Sequence, residues 1–268
     1  MVTESVWLGS LRGPVKKGMI GFTALTLLLF VGIVAMNAVS AEPITMFDMI
    51  RPKGKPMVQI FLASMSLALL FGSLFLSDTV GAIEDKPSGF FDYLSLVTSR
   101  LAMISIAFVV IVMFYEVVAR YAFNAPTLWA NELSLWIASF IFLLAGQYAM
   151  QQRSHIRIYV IYDMFPRWMQ KVADVISVSL IVIFTFTLVW GGYNDAMTRM
   201  LRLEGFGTAW DPPIPGTVKP AILFIIVLVT VQAVSNLIAD WNKAPEHHAH
   251  DDIDETEIEM LRRTLEDK

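Results

Sequence analysis

Six long apolar runs, separated by short polar segments, organise the chain. They are Met19 to Val39, Met57 to Ser77, about Leu94 to Val118, about Leu133 to Met150, about Val172 to Tyr193, and about Val218 to Ala239. A helix needs about 20 apolar residues, rising about 1.5 Å each, to cross a bilayer's hydrocarbon. With no water there to satisfy backbone groups, such runs must be helical. The pattern predicts an all-α integral membrane protein with six transmembrane helices. Arg12, Lys16 and Lys17 precede the first run, and Val39-Ser40-Ala41 resembles a signal cleavage site. The run exceeds the apolar region of about 7–15 residues usual in a signal peptide, so we expect a retained helix.

The connections divide the chain. Glu84-Asp85-Lys86-Pro87-Ser88-Gly89 is a polar joint marked by Pro and Gly. It suggests an N-terminal extension with two helices (1–83), a four-helix membrane domain (84–243) and a tail (244–268). Asp211-Pro212-Pro213-Ile214-Pro215 is expected to be extended, with Thr217 capping the last helix and Pro220 in its first turn. In the tail, Ile258, Leu261 and Leu265 form a short apolar stripe, with Glu259 and Arg263 at i,i+4, which predicts a marginal helix.

Composition narrows the function. The chain is 56% hydrophobic and 16% charged, against roughly 25% charge in soluble domains. It has no Cys, hence no disulfide, thiolate metal site or Cys nucleophile. A net charge of -4 gives no broad basic surface for nucleic acid. With the N-terminus inside, about 13 Lys and Arg fall on inner segments and about 7 on outer loops. Both termini are therefore expected in the cytoplasm. Trp129, Trp136, Trp168, Trp190 and Trp241 lie near run ends, as an interfacial belt requires.

Few residues suggest chemistry. Glu116 and Arg120 are four apart at the outer end of the third run, in the favourable order for an ion pair. The pair either eases insertion or faces another helix or protein. Glu132, at the start of the fourth helix, complements the helix dipole. Gln232, Asn236 and Asp240 recur every four residues on the sixth helix and need partners, in the bundle or in a companion subunit. His155 stands near a helix end without the paired axial ligand a membrane haem needs. His247, His248 and His250 could chelate a metal, but they lack a second cluster and sit in a polar tail. There is no nucleophile constellation, phosphate-binding loop or paired catalytic carboxylate, so neither enzyme nor cofactor is expected.

The ordered set Tyr115-Glu116, Arg120-Tyr121-Ala122-Phe123-Asn124-Ala125-Pro126, Trp129, Asn131-Glu132, Arg153-Ser154-His155-Ile156-Arg157 and Phe165-Pro166 resembles the small membrane subunit of TRAP (tripartite ATP-independent periplasmic) transporters. The likeness runs from about Leu94 to Trp241, and Gly205-Phe206-Gly207-Thr208-Ala209-Trp210-Asp211-Pro212-Pro213 is similar to one branch of these subunits. It implies a four-helix bundle in the bacterial inner membrane that braces a large, sodium-coupled transport subunit. A periplasmic binding protein delivers an organic acid to that subunit. It also marks Glu116, Arg120, Tyr121, Asn124, Trp129, Glu132, Arg153 and His155 as interface candidates, to which the polar stripe of the sixth helix adds Gln232, Asn236 and Asp240. The chain departs from the family in having Asn131 before Glu132 where two acidic residues are common. Tyr159 stands where an acid usually follows the arm histidine, Asp163 comes later, and two helices precede the usual four. The rival readings are a self-contained small transporter or channel, and a membrane anchor for a redox or signalling complex.

The extra pair of helices carries no mid-membrane acid or base, so it is expected to form an accessory layer outside the four. Gly21, Gly32, Ala63, Ser66 and Gly72 would allow its close packing. The topology is testable because the chain has no native cysteine. Among single cysteines at Ser10, Ser40, Ser154 and Thr264, only that at Ser40 is expected to react with an impermeant reagent added outside intact cells. Labelling at 154 would refute the orientation.

Overall fold

The computed structural model describes residues 5–80, 84, 87, 89–153, 162 and 164–242. Each apolar run becomes a helix longer than its apolar core. The helices are α1 (Arg12–Val39), α2 (Met46–Ile50), α3 (Pro56–Ser77), α4 (Phe90–Ala122), α5 (Ala130–Gln151), α6 (Arg167–Leu201) and α7 (Ile214–Asp240). Six are long and apolar enough to span a membrane; the exception is α2. It is closed by a capping box in which Thr45 and Asp48 satisfy each other's backbone. Lys55, 2.8 Å from Asp48, holds that carboxyl below its usual range, and the Thr45 bonds add to this against the opposing effect of burial.

One boundary differs from expectation. Asp211 adopts φ 55° rather than an extended backbone, and α7 begins at Ile214 rather than after Thr217, so Pro220 lies inside the helix rather than in its first turn. Pro215 occupies its first turn, where a missing N–H leaves no bond unmade. Thr217 is already helical, and its hydroxyl donates to the Pro213 carbonyl (2.7 Å).

Packing follows the chain's hairpins. Helix α1 lies on α3, α4 on α5, and α6 on α7, while α3 meets α4 and α5 meets α7. The sequence of neighbours is α1–α3–α4–α5–α7–α6, with α4 also touching α7. The four helices that follow the joint therefore centre on α4, α5 and α7, with α6 at one edge. The two extra helices continue the other edge.

Lipid is as apolar as Leu, so helices associate through close packing and hydrogen bonds. Small residues make the α1–α3 seam. A side chain at Gly18 would lie 2.8 Å from the Phe71 ring, and Gly32 faces Met57. Thr26 donates to Ser64 (3.1 Å), and Phe22 stacks on Phe71. Gly72 instead faces Ile104 of α4, while Gly21 borders open space.

Two carboxylates organise the end of the bundle where α3 stops and α4 begins. Asp78, fully buried after α3, accepts from the Leu8 amide (2.9 Å), the Trp7 amide (3.0 Å) and the Ser5 hydroxyl (2.9 Å), and pairs with Arg12 (3.1 Å). Burial pushes this carboxyl up, but those amides, the hydroxyl and Arg12 together hold it below its usual range. Glu84 takes both guanidinium nitrogens of Arg100 on α4 (2.9 and 2.6 Å) and the hydroxyl of Tyr148 on α5 (2.5 Å). The polar joint is thus a lock as well as a connection.

Breaking a buried pair costs more than removing it, because one charge is left behind. Glu84→Ala, which strands Arg100, is expected to destabilise the protein by roughly 3–5 kcal/mol in detergent melting. Glu84→Ala with Arg100→Leu should recover much of that loss. A double variant no better than the single would contradict the lock. Asp78 has a depressed pKa, so its contribution is present above the unfolded carboxyl's pKa and is lost as pH falls through the lower folded value. Asp78→Asn is expected to remove this acid dependence from proteolysis of residues 5–11.

Candidate partner interface

The turn between α4 and α5 is built around one carboxylate. Glu116 is only 3% exposed. One of its oxygens accepts twice from Arg120 (2.9 and 2.5 Å), as the i,i+4 spacing predicts. The other accepts from the amide (3.0 Å) and hydroxyl (2.5 Å) of Thr127, eleven residues away. The Thr127 hydroxyl in turn accepts from the Ala130 amide, a first-turn donor with no partner in its own helix. A single side chain therefore joins the end of α4 to the start of α5.

Asn124 adopts φ 51°, the left-handed region that Asn tolerates better than most residues. The following amide of Ala125 then returns to Ala119 O (2.9 Å). Trp129 stacks on Tyr115 with ring centroids 5.8 Å apart. Tyr121 is 78% exposed and the Arg120 side chain 51% exposed. The turn is rigid from within and presents a cation and an aromatic ring outward.

Glu132 does more than complement the α5 dipole. It accepts from Thr208 (2.7 Å), in the loop between α6 and α7. Trp136 donates to Thr217 (2.8 Å), fixing α5 against the start of α7.

A second polar cluster forms at the opposite ends of these helices. Gln232, 1% exposed, donates to Asp92 of α4 (2.7 Å) and to Asn236 (2.9 Å). Asn236 donates to Met150 O at the end of α5 (2.7 Å). Arg153 grips Asp240 with two nitrogens (2.6 and 2.9 Å), and Arg167 of α6 donates to the Asp240 carbonyl (3.0 Å). Arg153 has φ 55°, an uncommon backbone for a non-glycine, held by this pair. The stripe on α7 thus faces the other helices and ties their ends together. His155, with Arg157, Tyr159 and Asp163, lies outside the described residues, as do the tail histidines and the stripe at Ile258. Among the described residues there is no group of three or more His, Cys, Asp or Glu able to hold a metal.

Sequence reasoning missed Thr127, Asp92, Thr208 and the Glu84–Arg100–Tyr148 lock. Thr127 was within reach as a possible cap three residues before Ala130. The others depend on helix ends far apart in sequence, which no local pattern records. Trp168 and Trp190 are 66% and 78% exposed. Lys171 lies over the ring of Trp241 (4.9 Å).

Six hydrophobic spans, polar groups tied at both ends and an outward-facing turn define a multi-pass helical membrane protein. Residues 109–243 match the family described as tripartite ATP-independent periplasmic transporters, DctQ component, and the chain belongs to that family. It is also similar to the C4-dicarboxylate TRAP transporter small permease protein DctQ of Vibrio cholerae serotype O1. The two are 23% identical over 120 residues, covering 43% of this chain and 52% of that protein. No solved structure matches the chain. The family match begins inside α4, so it leaves out α1 to α3.

Thr127→Ala removes a hydroxyl that serves both Glu116 and the Ala130 amide. It is expected to cost about 1 kcal/mol, the usual effect of losing a helix-start hydroxyl. Thr127→Ser should keep most of this. The measurement is thermal unfolding in detergent followed by tryptophan fluorescence, and equal melting of the Ala and Ser variants would contradict the role given to the hydroxyl.

Proposed function

We propose that this chain is the brace of a three-component uptake system in the bacterial inner membrane, with both termini cytoplasmic. It holds the stationary part of a large, sodium-coupled membrane subunit and helps dock a periplasmic binding protein that delivers an organic acid. The observation that carries this reading is the outer turn. Glu116 and Thr127 fix its backbone, leaving Arg120 and Tyr121 exposed for a partner at the membrane boundary. Family membership supports the same assignment, and the relative's name makes a C4-dicarboxylate the first substrate to test. The polar groups within the helices also favour a brace over a channel. Gln232 and Asn236 bond to neighbouring helices, and Thr185 and Thr230 bond to each other (2.6 Å).

Organic-acid uptake here belongs to the assembled complex, and this chain supplies no chemical step. The test is co-expression with the large subunit and binding protein, recovery through a tag on this chain, and uptake of labelled C4-dicarboxylate. Tyr121→Ala and Arg120→Ala are expected to lower both recovery and uptake at least about fivefold, as a central interface residue does. Melting of Tyr121→Ala alone should match the wild type. Wild-type recovery and uptake in both variants would remove the case for this surface. Dicarboxylate transport by the chain alone in liposomes would establish the self-contained transporter instead.

A further inference from the structure

The loop between α6 and α7, residues 202–213, is far more ordered than a simple connection requires. Its Trp210 is only 1% exposed although it lies outside the helices. The indole N–H donates to the carbonyl of Met46 (3.0 Å), at the start of α2 and 164 residues away. Asp211, the next residue, pairs with Arg51 just after α2 (3.2 Å). The loop therefore reaches the outer cap of the N-terminal hairpin, although α6 and α7 stand at the opposite edge of the helix layer.

The backbone is shaped for this reach. Leu203 and Asp211, both non-glycine, have φ 46° and 55°. Such conformations persist only where surrounding contacts determine them. The Asp211 carboxylate accepts from the Gly207 amide (2.8 Å) and lies where a side chain at Gly205 would be, 2.2 Å from that added carbon. Gly216 is equally enclosed, with the Glu204 amide 2.8 Å from where its side chain would start. At its middle the loop is anchored to α5 by Thr208 and Glu132.

We infer that residues 203–213 are a strap that locks the N-terminal hairpin onto the family domain. The strap makes α2 and the α5 end of the outer turn parts of one outer surface. Trp210 is its anchor. A buried indole supplies a large apolar area and one directed N–H, and here that N–H meets a carbonyl of the hairpin. Arg51 and Asp211 are exposed and add little beside it. The hairpin is thus tied at both membrane faces, inside by Arg100 of α4, which donates to the Thr79 carbonyl (3.1 Å), and outside by the strap. This goes beyond the transport reading and is independent of it, because the strap acts within the single chain.

Hydrogen exchange on the purified full chain tests it. Trp210→Ala is expected to raise amide exchange in both 45–51 and 203–211 by at least about tenfold. The amides of Trp7 and Leu8, held by Asp78 at the other face, should keep wild-type protection. Trp210→Phe keeps a ring but removes the N–H, and should give the same pattern with a smaller rise. If Trp210→Ala loosens the whole chain, the Phe variant decides by the same local comparison. Wild-type exchange at 45–51 in Trp210→Phe and in any folded Trp210→Ala protein would overturn the strap.

Discussion

In hydrocarbon a polar group has no water to turn to, so each charge near a helix end must be met from within the protein. This chain meets that constraint by using carboxylates as staples. Asp78 gathers the N-terminal segment onto the end of α3. Glu84 draws α4 and α5 together through Arg100 and Tyr148. Glu116 joins α4 to the turn that starts α5. Asp92 and Asp240 bind α7 to α4 and α5. The helices between these points can then be almost wholly apolar, and the end contacts set their order.

That division of labour explains the shape. A layer of hairpins stapled at the ends leaves broad apolar faces between them, suited to a membrane. It also explains why polar residues that look functional in sequence have structural duties. Gln232 and Asn236 repeat with helical spacing because α7 must be held to two neighbours. Glu132 is both a first-turn carboxylate and the hook for Thr208. Residues that such duties leave over, above all Tyr121 and the outward side of Arg120, are the ones free to meet a partner.

The spans were legible because hydropathy alone dictates helices of this length: six were expected, and among the described residues six helices are long and apolar enough to cross a membrane. Glu116–Arg120 was legible because i,i+4 spacing is a local signal. The inward direction of the α7 stripe was half legible: its need for partners was clear, but not whether they lay in this chain. Arg100 could be counted only as an inner basic residue, since its partner Glu84 sits in a joint whose course depends on packing. Trp210 was visible only as part of a family-like segment, because nothing local links it to Met46. The start of α7 was misplaced because Pro215 reads as a breaker, whereas in a first turn it is compatible with helix.

The proposed meeting point with a large membrane partner is the turn between α4 and α5, fixed from within by Glu116. Site-specific photocrosslinking in native membranes tests it most directly, with a photoreactive amino acid at Tyr121 and, for comparison, at Trp190, which is equally exposed (78%) but lies within α6. The account predicts that position 121 yields a covalent product with a large multi-helix membrane protein. That product should be lost in Thr127→Ala or Glu116→Gln chains that still insert. No protein product at 121, or an equal yield from Trp190 with position 121 unaffected by those substitutions, would contradict it.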